Sequence, residues 1–335
     1  MRSRRPAVLA AALAAAVLAG AAPPAAAQPV EGAEVAVRLE DPRVVESSGL
    51  ALSRRHRAVL WTHNDSGGEP ELYAVGSDGR TLATLRLDGV EARDWEAMAA
   101  GRDDRGRPAL FVGDIGDNQG LWPEVAVYRV AEPAVLRDAT VPATRFRLRY
   151  ADGPRDAEAL LVDPRGDRLY VATKDTAGGG LYRAPAELSR DRVNVLRRVA
   201  DVPPVVTDGA FAPDGASFVL RDYQGAYVYA APGRGVDAFE LPLQQQGESI
   251  TWSADGRSVL AGSEGAASEV WRVPLPAAVL AQVAPTTRPP AATAAPAAAE
   301  GRERGRGPAP ALAVAAAALA LVAALALLLR RRRSP

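Results

Sequence analysis

One short motif recurs five times along the chain, and its spacing leaves few architectures open. It reads Leu72-Tyr73-Ala74-Val75, Val127-Tyr128-Arg129-Val130, Leu181-Tyr182-Arg183-Ala184, Val228-Tyr229-Ala230-Ala231 and Val270-Trp271-Arg272-Val273. The aromatic-to-aromatic steps are 55, 54, 47 and 42 residues. Phe, Trp and Tyr number only 5, 5 and 8 in 335 residues, so five at equivalent places is not a chance arrangement. A period of this length marks one supersecondary unit repeated, each copy covering the face of its neighbour. Alternating apolar and polar positions with β-branched and aromatic residues make each motif a strand.

Each motif is preceded by a second strand: Leu60-Trp61-Thr62, Leu110-Phe111-Val112, Leu169-Tyr170-Val171, Phe218-Val219-Leu220 and Val259-Leu260-Ala261. Before that comes a strand of small residues: Gly49-Leu50-Ala51, Ala97-Met98-Ala99, Ala159-Leu160-Leu161, Gly209-Ala210-Phe211 and Ser249-Ile250-Thr251. Turn signals such as Ala212-Pro213-Asp214-Gly215 join these two strands in the later units. A fourth strand follows in four units, over 81–87, 143–150, 194–202 and 237–243. The fifth unit lacks one, while 34–39 offers a surplus strand ahead of the first unit. One strand missing at the end and one to spare at the start is the signature of a closed ring. The expected fold is all-β: a β-propeller of five four-stranded blades over 31–276, its last blade completed by the N-terminal strand. A β-sandwich would not repeat in this way.

The two ends are of another kind. Arg2, Arg4 and Arg5 precede an apolar run over 7–22, and Pro23, Pro24 and three alanines follow. A signal peptide over 1–27 is expected. Residues 277–308, rich in Pro, Ala and Thr, read as an extended spacer. Residues 309–329 are apolar apart from a proline, and Arg330 to Arg333 open the basic tail 330–335. About 20 helical residues span roughly 30 Å, the hydrocarbon thickness, and the arginines hold that end in the cytoplasm. The expectation is a single-pass cell-membrane protein with its propeller outside the cytoplasm.

Composition then excludes several chemistries. With no cysteine and two histidines, there is no disulfide scaffold, thiolate metal site, cysteine nucleophile or all-histidine zinc site. The formal net charge is zero, but eleven arginines and two acids lie outside 31–280. That leaves 29 basic and 38 acidic residues inside, a net charge of −9. Such a domain is a poor nucleic-acid binder and a candidate cation binder.

The acids are placed by the repeat. In an antiparallel meander, the start of strand one and the end of strand two meet at the same end of the sheet. Strand-one starts carry Glu46, Asp94 and Glu96, Asp156 and Glu158, Asp208, and Glu248. Strand-two ends carry His63 with Asp65, then Asp114, Asp117 and Asn118, then Lys174, then Arg221 and Asp222, and finally Glu264. These are the candidate binding residues of one acidic mouth. Asp94, Glu96, Asp114, Asp156 and Glu158 are the candidate metal ligands, with Ca²⁺ the expected ion because it takes six to eight oxygens. Each acid taken singly is equally a cap on backbone amides of a neighbouring blade. His63 is the candidate general base, whereas His56, among Arg54, Arg55 and Arg57, reads as a solvated turn residue.

Glu46-Ser47-Ser48-Gly49-Leu50-Ala51, Asp94-Trp95-Glu96-Ala97 and Asp156-Ala157-Glu158-Ala159 resemble the repeat starts of bacterial secreted β-propellers of the SdiA-regulated and esterase-like phytase families. The resemblance covers roughly residues 46–275 and implies an extracytoplasmic, calcium-binding propeller. Phytase-type propellers hold phosphate with basic residues, for which Lys174 and Arg221 are the candidates at this mouth.

Two functions are expected from this reading. The first is a membrane-anchored module that binds an extracellular ligand or protein through its mouth. The alternative is a metal-dependent esterase or phosphoesterase with His63 as base. No G-x-S-x-G elbow supplies a nucleophile, which favours the first.

Overall fold

The computed structural model describes residues 30–65 and 67–283. The signal peptide, the spacer beyond residue 283, the expected membrane span and the basic tail lie outside the described residues. Among the described residues no helix is long and apolar enough to cross a membrane.

The first strand, β1 (Glu34–Arg38), finds its partner last. The first sheet is β2 (Ser47–Leu52), β3 (Leu60–Asn64), β4 (Glu71–Val75) and β5 (Thr81–Asp88). The second is β6 (Trp95–Arg102), β7 (Pro108–Asp114), β8 (Val125–Ala131) and β9 (Ala139–Tyr150). The third is β10 (Ala157–Asp163), β11 (Arg168–Thr173), β12 (Gly180–Arg183) and β13 (Asn194–Asp201). The fourth is β14 (Asp208–Phe211), β15 (Phe218–Arg221), β16 (Gly225–Ala231) and β17 (Arg234–Glu240). The last holds β18 (Ile250–Trp252), β19 (Ser258–Ala261) and β20 (Glu269–Pro274), and β1 is its fourth strand. Glu34 pairs with Arg272 and Arg38 with Glu269 across that seam. Two ion pairs tie it, Arg38–Glu269 and Arg272–Glu34.

Each innermost strand packs on the next: β2 on β6, β6 on β10, β10 on β14, β14 on β18, and β18 back on β2. The apolar core is divided in the same cyclic way. Trp61, Trp95 and Tyr128 fill the space between the first and second sheets. Phe111, Tyr150 and Tyr182 do so between the second and third, and Leu161, Leu220 and Phe218 between the third and fourth. Val219, Val228 and Trp252 lie between the fourth and the last. Leu50, Tyr73, Leu260 and Val270 join the last sheet to the first. An all-β ring of sheets, each covering its neighbour's face, is the packing of a β-propeller. The outer edge has one irregularity. The twelve-residue β9 pairs in parallel with β5 through residues 139–142 and with β13 through 148–150.

Three elements differ from expectation, the first being β9, which starts at Ala139, four residues before the 143–150 read from the sequence. Strand β17 lies three residues earlier than the 237–243 read from the sequence. Residues 277–283, expected as extended spacer, form helix α1 (Ala277–Val283). Its composition favours a helix, Pro276 is tolerated at its start, and Val279 is buried against the last two sheets.

Strand direction fixes two ends of the ring. At one, Ser47 lies opposite Asn64, Trp95 opposite Asp114 and Asp208 opposite Arg221. This is the mouth end. At the other, an opening of about 270 Å³ has a mixed lining that includes Leu52, Arg54, Met98, Phe211, Thr251 and Trp252. The start of β1 and helix α1 both lie at that far end, because Glu34 pairs near the end of β20 and α1 follows it. The mouth is clear of both chain ends of the described domain.

Candidate functional site

The mouth gathers most of the acids that the repeat placed there. Glu96 (β6), Glu158 (β10) and Glu248 (before β18) stand at corresponding places on three innermost strands, each about 5% exposed or less. At Glu96 and Glu158 the strand pairing skips a residue, between Trp95 and Ala97 and between Ala157 and Ala159. A bulge of this kind re-aims a side chain, and it turns both carboxylates toward the ring's interior. Asp94 and Asp156 sit two residues earlier, Asp65 follows β3, and Glu46 and Glu264 complete the rim.

One group is tightest. Oxygens of Asp65, Asp94 and Glu96 all lie within 4.8 Å of one another. Glu96 accepts no hydrogen bond among the described residues. Its pKa is pushed well up, first by burial and then by the charges of Glu158, Asp65, Asp94 and Asp156. Asp94 is also raised, by burial and by Asp156, with Arg93 opposing. Gly116 closes one side of the pair. A methyl there would press on Glu96 Oε1 and Asp94 Oδ2 at 2.5–2.6 Å, so the backbone comes this close only as glycine.

The opposite half of the mouth carries its own cation. Lys174 forms an ion pair with Glu158 and donates to Tyr223 Oη at 2.9 Å. Burial raises the Glu158 pKa and Lys174 pulls against it. Lys174 likewise opposes the upward shifts of Asp156, Glu248 and Glu264. Glu264 is pushed up to about 7 by burial and by Glu248, Asp65 and Glu46.

Several candidates are placed elsewhere. Asp114, a candidate metal ligand, is not part of the Asp65–Asp94–Glu96 group. Its Oδ1 accepts from the Asp94 amide at 3.1 Å and lies 3.6 Å from Arg93, in a separate pocket with Tyr128 and Arg145. Burial pushes it up to about 6 in spite of the arginines. Asp117 caps its own loop, accepting from the amides of Leu121 at 2.9 Å and Trp122 at 2.7 Å. Asp156 keeps one oxygen for the Asp117 amide at 2.9 Å, while Asn118 lines a polar cleft beside the mouth with Lys174 and Arg155. Asp222 caps the turn after β15 and accepts from Tyr227 Oη.

Asp208 and Arg221 are fully buried. Asp208 accepts from the Ile250 amide of the next sheet at 2.7 Å, and burial drives its pKa well up. Arg221 donates to the carbonyl oxygens of Asp222, Ser249 and Gly262 and to Gln244. Burial lowers its pKa to about 10, against the pull of Glu248, Asp208 and Asp222. A methyl on Gly247 would collide with Arg221 Nη2, so this guanidinium is roofed by backbone. It knits two sheets together and has no exposed surface for a ligand.

His63, the candidate base, is sealed as well. It has no exposed surface, donates Nδ1–H to the Asn64 carbonyl at 2.7 Å, and packs edge-on against Trp95. Burial holds its pKa down at about 4. The ring is neutral, but no substrate atom reaches it. His56 is not simply solvated, since its Nε2 pairs with the Pro133 carbonyl at 2.8 Å.

Sequence reasoning missed three contributors. Arg93 lies 3.3 Å over the Trp122 ring and beside Asp114. Tyr223 holds Lys174. Gly116 brings backbone against the acids. Arg93 is adjacent to Asp94 and was legible from that alone; the role of Tyr223, 49 residues from Lys174, had no local signal.

No protein-family model matches the sequence, and no curated protein matches it. Among solved structures, the chain is similar to a gluconolactonase from Xanthomonas campestris, at 16% identity over 75% of this chain and 99% of that one, TM-score 0.45. It is also similar to a chain of a nidogen–laminin complex, at 15% identity over 66% of this chain and 72% of that one, TM-score 0.41.

Proposed function

We propose that this protein is a five-bladed β-propeller recognition module whose acidic mouth holds one hard divalent cation, Ca²⁺, between Asp65, Asp94 and Glu96. One observation carries the reading: Glu96 is 95% buried, accepts no hydrogen bond among the described residues, and faces two further carboxylates. A buried carboxylate without a donor is expensive unless a cation compensates it. The donors are all hard oxygens, as Ca²⁺ prefers, and water completes its coordination. The surrounding loops suit a docking face. Val45, Leu121, Tyr223 and Leu243, four exposed large apolar side chains, all lie on loops at the mouth end. The hydrolase alternative is weaker, because the base on which it depended is enclosed.

The metal is tested by melting the purified chain in calcium and in chelator. Binding to the folded state adds about 2.7 kcal/mol at a hundredfold excess over Kd, or roughly 5–11 °C for a domain of this size. Asp94→Asn with Glu96→Gln should abolish the difference and leave the melting temperature in chelator unchanged or higher. A wild-type melting temperature indifferent to calcium would refute the cation.

The module is further proposed to be secreted and held by the span 309–329, with the spacer carrying it clear of the membrane. Protease applied to intact cells should then release it by cutting within 284–308. Complete protection from external protease would count against this topology.

A further inference from the structure

A second cleft opens at the mouth end, outside the acidic group and between the first two sheets, where β5 and β7 end at Asp88 and Asp114. Its volume is about 560 Å³, within the range of sites for small organic molecules. One wall is apolar. Val90, Ala92 and Ala143 pack there on the core shared by the two sheets, beside the ring of Tyr128. Charges of both signs line the remainder. Asp114 is 3% exposed. Its Oδ1 accepts from the Asp94 amide at 3.1 Å and lies 3.6 Å from Arg93 Nε, while Oδ2 takes no hydrogen bond among the described residues. Asp88 and Glu91 also line the cleft, but both are exposed and their charges are weakened by water.

Two arginines share the cleft with Asp114. Arg93 lies 3.3 Å over the Trp122 ring, and Trp122 is held in turn by its amide, which donates to Asp117 at 2.7 Å. The Arg93 guanidinium is thus placed in advance, which lowers the entropy lost on binding. Arg145 stands opposite Tyr128 across the β8–β9 pair. The ion pairs of this region are Arg93–Asp114 and Arg147–Glu124, and Arg145 takes part in neither. A guanidinium fork matches a carboxylate. A simple anion placed here would also meet Asp114, and a simple ammonium ion would also meet two guanidinium groups. A ligand that carries both charges close together meets each with its opposite. We infer that this cleft binds a free α-amino acid with an apolar side chain. Arg93 and Arg145 take the α-carboxylate, Asp114 takes the α-ammonium, and the side chain lies on Val90, Ala92 and Ala143. The inference is independent of the cation proposed at Asp65, Asp94 and Glu96.

The test is calorimetric titration of the full chain with three probes: L-leucine, L-leucinamide, which lacks the carboxylate, and N-acetyl-L-leucine, which lacks the ammonium. Chelator in every titration keeps divalent ions out of the result. Leucine should bind, and each blocked analogue should bind at least about tenfold more weakly, the worth of one hydrogen bond to a charged group. Arg145→Met should weaken leucine about tenfold and leave the weaker binding of leucinamide unchanged. Asp114→Asn should weaken leucine about tenfold and leave that of N-acetyl-leucine unchanged. Melting curves without ligand check that both variants fold. Arg145 is exposed, so its variant decides the matter even where Asp114→Asn does not fold.

No binding of leucine to wild type would overturn the inference. N-acetyl-leucine bound as tightly as leucine would also overturn it, since the cleft would then be an anion site. Leucinamide bound as tightly as leucine would do the same, by showing simple capture of an ammonium group by acids. Leucine binding that Arg145→Met leaves unchanged would place the ligand elsewhere on the protein and equally end the proposal.

Discussion

Glu132 shows what one buried carboxylate does when protein donors, not a cation, satisfy it. It follows β8 in the second sheet, is 3% exposed, and reaches into the first sheet. There it accepts from Trp61 Nε1 at 3.0 Å, from the Arg54 amide at 3.3 Å and from Ser53 Oγ. Glu132→Ala would leave the buried Trp61 indole N–H without an acceptor and the Ser53 hydroxyl and Arg54 amide short of one, at a cost of about 2 kcal/mol, and Glu132→Gln less than half of that. Urea unfolding at neutral pH measures both; a loss under about 0.5 kcal/mol for the alanine would show that the tie carries no stability. The contrast with Glu96 explains what was legible in the site. Residue type and repeat position placed Glu96, Glu158, Asp208 and Glu248 correctly at the inner strand starts. They did not reveal which acids meet amides, as Asp208 meets Ile250, and which meet only one another. That depends on loops such as Gly116 and Gly247, whose approach is set by tertiary packing. His63 was misjudged for a related reason. Its position at the end of β3 was right, but the pleat turns successive side chains to opposite faces, and its ring lies between sheets beside Trp95.

At the scale of elements, the chain was readable wherever a strand is buried on a regular pattern. The aromatic third strands fall within β4, β8, β12, β16 and β20, because each aromatic packs against a neighbouring sheet or its rim. The surplus strand over 34–39 is β1, and it completes the last sheet as expected. The misses are at the periphery. Strand β17 is largely exposed, with burial running exposed, exposed, intermediate, exposed, exposed, intermediate, exposed. A solvated outer strand has little apolar pattern to fix its register, which is why its limits were shifted. Helix α1 was hidden by the low-complexity run that follows it; only Val279, Leu280 and Val283 betray an apolar face. The parallel contacts that β9 makes with β5 and β13 had no signal at all, since they join outer edges from different repeats.

At the scale of the molecule, ring closure is the dominant topological fact, and it makes a kinetic prediction. The seam pairs residue 34 with residue 272, so nearly the whole described domain must be gathered before the last sheet is complete. Closing so long a loop costs about 3 kcal/mol more than closing a ten-residue one, and pairings this distant in sequence slow folding. Both described chain ends lie at the end of the ring away from the mouth, so they can be joined by a short Gly/Ser linker. A permutant with new ends between residues 203 and 204 would open the chain between two sheets. All five sheets would then be continuous in sequence, and the ring would close through sheet-on-sheet packing alone. It should refold about tenfold faster than the parent, provided the seam forms in the transition state. It should also unfold no more slowly, because the strand exchange that latches the ring is gone. A second permutant, opened between residues 186 and 187, would only move the exchange to the third sheet, with β13 as the returning strand. Its refolding rate should match the parent's. Stopped-flow refolding followed by tryptophan fluorescence compares the three chains directly. Equal rates for all of them would show that the seam zips after the rate-limiting step.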